Sequence, residues 1–137
     1  MRRQLLWLSL LSAVAAGGCT TEPSEVSGTW VATVFSVTPS GEAPINLLAA
    51  GASLTITIDA ENVTTGSLEI PAGVGGPEPF SASMAGTAIV TETTVRFIQG
   101  ADSFVPDLVW SRGALTLTVT NQSLGGDAWT ITLTKTT

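Results

Sequence analysis

The stretches LTLTVT (residues 115–120) and WTITLT (residues 129–134) decide the reading of this chain. Each alternates a large apolar residue with threonine. A period of two sends one set of side chains to a core face and the other to a solvent face, which is the signature of a half-buried β-strand. Threonine suits the outer set, because its β-branch fits a pleated surface and its hydroxyl tolerates water. LTITI at residues 54–58 repeats the pattern. Working outward from these three, the same alternation bounded by Gly, Pro, Asn and Asp predicts eight strands, over 28–38, 53–59, 63–70, 80–90, 94–98, 107–111, 114–121 and 127–135. The helical candidate is one short turn at Asn46 to Ala50, with Asn46 as N-cap and Gly51 as its stop. No internal repeat and no second domain is visible.

The links between strands carry the topology. Links 39–52, 71–79, 99–106 and 122–126 are long, whereas 60–62, 91–93 and 112–113 are short. In an up-and-down meander, alternate links lie at opposite ends, so long and short links segregate into an irregular mouth and a tight base. The expected fold is all-β, an eight-stranded antiparallel up-and-down barrel. A barrel of about eight strands is just wide enough to be filled by side chains or to hold one small ligand. A two-sheet β-sandwich is the alternative, although its Greek-key connections do not call for this alternation of links.

The N-terminus has the zones of an export signal. Arg2 and Arg3 precede an apolar run from Leu5 to Ala16 that only serines interrupt. That run is well short of the roughly 20 residues a membrane-spanning helix needs, so residues 1–18 are expected to be cleaved. Cys19 is the only cysteine of the chain, which excludes an internal disulfide. The run Ala16-Gly17-Gly18-Cys19 resembles the bacterial lipobox, with Ala16 where leucine is usual. The resemblance implies a covalent lipid on Cys19, attachment to the membrane through that lipid, and residence in the bacterial cell envelope. Two or more acyl chains suffice for stable anchoring. Thr20 in place of aspartate favours the outer membrane if the cell has two. An ordinary secretory signal that leaves a free thiol is the alternative. Residues 19–26 then read as lipidated N-terminus and tether, and residues 27–137 as one domain. The eight residues from Thr20 to Ser27 reach at most about 26–29 Å.

Removal of the signal leaves three basic residues (Arg96, Arg112, Lys135) against eleven acidic ones, a net charge of about −8. Such a surface repels phosphate backbones, which excludes nucleic acid as a partner. The chain has no histidine, and Lys135 is its only lysine. A nucleophile therefore lacks a base beside it, and the acids are scattered over turns, so no enzymatic activity is expected. Asp59, Glu61 and Asn62 share one link but lack the glycine and distal glutamate of a calcium loop. Turns favour Asp and Asn in any case. No metal and no cofactor is expected beyond the lipid on Cys19.

Gly28-Thr29-Trp30, at the start of the first strand, resembles the lipocalin signature. The region 27–136 resembles the small lipocalin-like domains of bacterial lipoproteins. That likeness implies that Trp30 plugs the closed base and that a basic residue packs over it, with Lys135 in place of the family's arginine. Strand phase points to the same residue. Trp129, Ile131 and Leu133 share a face that Lys135 continues, and antiparallel pairing of the last strand with the first brings Lys135 to Trp30. A cation over an indole contributes about 0.5–2 kcal/mol. A solvated lysine at the C-terminus is the alternative. The family's other arginine motifs are not visible, and the chain is shorter than a typical lipocalin, so the pocket is expected to be small or partly filled.

The same phase assembles a ligand-facing surface from Leu54, Ile56, Ile58, Leu68, Ile70, Phe97, Trp110, Leu115, Leu117, Trp129 and Ile131; a dry packed core is the alternative for each. Small residues at Val34, Ala82 and Ala88 favour interior space. The alanines and leucines of 46–50 are expected to cover the mouth as a lid. Glu42, Glu78 and Asp102 lie in the long links, with Asp107 and Asp127 beside them. An acidic mouth over an apolar interior favours a neutral or cationic amphiphile over a fatty acid. The expected function is that of a membrane-anchored, non-enzymatic, monomeric protein that binds or carries a small hydrophobic ligand. The alternative is an envelope protein-interaction or inhibitor domain without a ligand cavity.

Overall fold

In the computed structural model, which describes residues 26–74 and 76–136, the alternating segments are strands. The expected export segment, Cys19 and the tether as far as Glu25 lie outside the described residues. The strands are β1 (Gly28–Thr38), β2 (Ile45–Asn46), β3 (Ser53–Ile58), β4 (Val63–Ile70), β5 (Phe80–Ser83), β6 (Gly86–Val90), β7 (Thr94–Gln99), β8 (Trp110–Arg112), β9 (Thr116–Leu124) and β10 (Asp127–Thr136). All pairings are antiparallel, and β10 returns to pair with β1 from Thr29↔Thr136 to Thr38↔Ala128. That last ladder closes the sheet, so the fold is an eight-stranded antiparallel up-and-down barrel of lipocalin-like form, and the sandwich is excluded.

Ten strands make eight staves because two staves are compound. The predicted strand 80–90 breaks at Met84-Ala85. Its first half, β5, pairs with the mouth end of β4 and its second half, β6, with the base end. The break is pinned by Thr64, a fully buried polar residue of β4, whose hydroxyl donates to the Met84 carbonyl at 2.7 Å. On the other side, β1 pairs with β3 only over Gly28–Val31, and short β2 takes over at Ser36 and Val37.

Three expectations are corrected. The strand predicted over 107–111 is displaced to Trp110–Arg112, because Pro106 sits in a 3₁₀ turn (Val105–Asp107) that buries Val105 and Leu108. The link predicted as long at 122–126 is a two-residue hairpin. Gly125 and Gly126 have φ of +63° and +93°, a type I′ geometry that continues the strand twist. Val26, expected in the tether, is buried in the core. The turn after Asn46 forms with the Asn46 side chain accepting from Ala49 N at 3.1 Å. Leu47 is buried and Leu48 packs on the core, but Ala49 and Ala50 face solvent.

Candidate binding site at the open end

The base of the barrel explains the Gly-x-Trp run in physical terms. Trp30 is buried, paired with Lys135 across the β1–β10 ladder, and its indole N–H donates to the Val26 carbonyl at 2.8 Å. The Lys135 ammonium lies 5.8 Å from the indole centroid, within cation–π range. Gly28 has φ of +137°, and a Cβ there would stand 2.7 Å from Lys135 Cε. Glycine is favoured here by the positive φ, and its lack of a Cβ lets the lysine stem cross directly over it.

The interior above this plug is filled. Leu54, Ile56, Ile58, Leu68, Phe97, Trp110, Leu117 and Ile131, expected on the ligand-facing surface, are each 2 % exposed or less. Phe97 and Trp110 meet edge to face at 5.8 Å. These side chains form a packed core that water does not reach. Leu115 is corrected outright: it precedes β9 at the base and is 57 % exposed. Val34 also points outward, whereas Ala88 is buried and Ala82 partly so. Only Ile70 and Trp129, of the expected ligand-facing set, reach the open end as partly buried groups.

Clefts of about 420 and 380 Å³ lie along β1–β2 and on the β6–β7 wall, but the concave surface richest in exposed aromatic and proline side chains is at the open end. Ile70 and Phe80 are the last pair of the β4–β5 hairpin, and the segment between them contains Pro71, Pro77 and Pro79. Against this hairpin tip stands Phe104, from the segment joining β7 to β8. Together Ile70, Pro77, Glu78, Pro79, Phe80 and Phe104 line a half-open cleft of about 420 Å³. An adjoining cleft of about 280 Å³ shares Ile70, Pro79 and Phe80 and adds Glu69 and Pro71. Phe104 is held from behind: its ring stacks on Trp129 at 4.1 Å with planes 14° apart, and both contact the buried ring of Phe35 at 6.1 and 6.4 Å. The cleft wall is thus an aromatic column rooted in the core.

Charge is unevenly placed along the barrel axis. Glu42, Glu69, Glu78, Asp102, Asp107 and Asp127 lie at or near the open end, whose connecting segments hold no lysine or arginine. Arg96, on the outer wall of β7, reaches the Pro106 carbonyl from the side at 3.3 Å. Arg112 and Lys135 lie at the base with Asp59, Glu61 and Glu92. Asp59 is occupied locally, since its carboxylate accepts from Glu61 N and Val63 N at 2.9 Å each. Among the described residues no group of three or more acidic, histidine or cysteine side chains is arranged to hold a metal.

Strand periodicity could not find Phe104 and the prolines, because loops have no period, and it placed Phe80 only as the first residue of a strand. The available signal was compositional: PEPF at residues 77–80 and the loop aromatic at 104. Comparison with protein-family models, curated proteins and solved structures returns no match. The topology and the open-end cleft therefore define the class: a lipocalin-like β-barrel whose interior is filled.

Proposed function

We propose that the chain is a lipid-anchored, non-enzymatic protein of the bacterial cell envelope that binds a small hydrophobic ligand in the cleft at its open end. The observation carrying this reading is the contrast between a packed interior and a cleft of about 420 Å³ at the mouth. That volume lies within the range of about 300–1,000 Å³ usual for small-molecule sites. The ligand is held at the rim, against Phe80 and Phe104, rather than swallowed by the barrel. The packed core also favours a second reading, an envelope interaction or inhibitor domain whose rim meets a protein partner.

Anchoring through Cys19 follows from the lipobox-like run. The base then faces the bilayer, because the chain enters β1 there; six residues from Thr20 to Glu25 reach at most about 20–22 Å. The acidic mouth points into the aqueous space. Two measurements test the proposal. Cys19→Ser should move the protein from the membrane fraction to the soluble one, and retention in the membrane would overturn the anchor. Native mass spectrometry of the protein released from its lipid should show an added mass that Phe80→Ser removes. Repeated absence of bound mass, with no uptake of an apolar dye, would favour the interaction reading.

A further inference from the structure

We propose that the open-end cleft selects an organic cation, an amine or quaternary ammonium carried on a small apolar body. This rests on the reading that the cleft is the binding site, and it names the ligand's charge. Three features of the lining converge on it. The two adjoining clefts each contain one carboxylate, Glu78 and Glu69, set on either side of the shared Ile70–Phe80 pair. Among the described residues no lysine or arginine lines either cleft, the larger one has no hydroxyl, and the smaller one has only that of Ser81. Pro71, Pro77 and Pro79 have no backbone N–H to donate, and an anion entering either cleft would meet no counter-charge among the described lining residues.

The aromatic walls act in the same direction. Phe80 is 41 % exposed, and Phe104 is fixed by its stack on Trp129. A ring face is the negative side of its quadrupole and attracts ammonium groups. The remaining rim carboxylates, Glu42, Asp102, Asp107 and Asp127, add a field of one sign around the opening. Such a field concentrates cations and repels carboxylates and phosphates before contact. An apolar body covers Ile70 and the prolines while its ammonium sits between ring face and carboxylate. Fatty acids and phospholipid headgroups of net negative charge are excluded on the same grounds.

The test compares three ligands that share one body: 4-phenylbutylammonium, 4-phenylbutanol and 4-phenylbutyrate. The full chain as isolated from cells is titrated calorimetrically, in nanodiscs of neutral lipid if it is membrane-bound, with empty nanodiscs as blank. The ammonium is expected to bind at least tenfold more tightly than the alcohol, and the carboxylate more weakly than both. Raising salt toward 1 M, where the Debye length is about 3 Å, should erode that advantage. Glu78→Gln should narrow the gap between ammonium and alcohol at least threefold, and Phe80→Ala should weaken the ammonium at least fivefold. Equal binding of alcohol and ammonium, or tighter binding of the carboxylate, overturns the charge assignment and leaves the cleft standing. Absence of binding by all three, or ammonium binding that ignores Phe80→Ala, overturns the cleft reading itself.

Discussion

Trp30 and Trp110 are both fully buried indoles, and they differ in one hydrogen bond. The Trp30 N–H is satisfied by Val26, whereas the Trp110 N–H has no acceptor within the described residues. An unmet buried donor carries a desolvation cost of about 1–3 kcal/mol, and deleting it recovers that cost. Phenylalanine substitution should therefore be milder at Trp110 than at Trp30 by about 1–3 kcal/mol, as read from urea unfolding midpoints. Equal losses at both sites would show that the bond to Val26 contributes nothing. Gly28→Ala should cost at least about 1 kcal/mol, because the backbone lies at positive φ, and it should also displace the Lys135 stem from over the glycine. Lys135→Met keeps most of the stem and removes the charge; we expect a loss of about 0.5–2 kcal/mol that high salt does not abolish. At this scale much was legible. Gly28, Trp30 and Lys135 were singled out from motif and phase, because a period of two carries a residue's face along a strand.

At the scale of the element, β4 shows how a regular pattern is bent into a barrel wall. Gly66, at φ +131°, pairs with Ile56, and a Cβ there would lie 2.0 Å from the Thr55 carbonyl oxygen. The two backbones approach as only glycine permits. Two residues earlier, Thr64 ties β4 to the break between β5 and β6. Thr64→Val preserves shape and deletes the hydroxyl, but Gln99 Nε2 still reaches the Met84 carbonyl at 3.3 Å. The expected loss is therefore at the low end of the hydrogen-bond range, about 1 kcal/mol, with unchanged steepness of the urea transition. A change in that steepness would mean that the break itself had rearranged. Strand positions were largely readable, since alternation and turn residues mark them. The segment 105–112 was not, because Leu108 and Trp110 supply the apolar pattern of a strand over 107–111 while the turn at Val105–Asp107 takes up its start. The closing hairpin was misjudged for a similar reason: local polarity hid how far β9 continues before Gly125.

For the whole molecule, closure depends on contacts between residues about a hundred positions apart, such as Trp30↔Lys135. Loop-closure entropy must be met before those contacts form, and barrels of this kind fold in roughly milliseconds to seconds. Stopped-flow refolding followed by tryptophan fluorescence should fall in that range, and microsecond folding would contradict the closed topology. The filled interior makes its own prediction. Leu68→Ala should cost about 2–5 kcal/mol, because its neighbours are already close-packed and collapse only in part. A loss under about 1 kcal/mol would indicate slack in the interior.

The amino-acid sequence by itself determined that the chain is all-β, where most strands run, which face of each is apolar, and which glycine, tryptophan and lysine meet at the base. The first three follow from local period and residue chemistry; the meeting at the base was expected from the Gly-x-Trp resemblance and from pairing the last strand with the first. Only the tertiary structure decided whether the apolar faces leave a space between them. Period assigns Leu54, Trp110 and Leu117 to the inside but says nothing of the distance across the barrel, and packing set that distance to contact. It also decided that Phe80, at the edge of β5, and Phe104, from the segment between β7 and β8, line one cleft at the open end although their segments share no repeat. Their proximity exists only once β10 has closed on β1 and Trp129 stands behind Phe104.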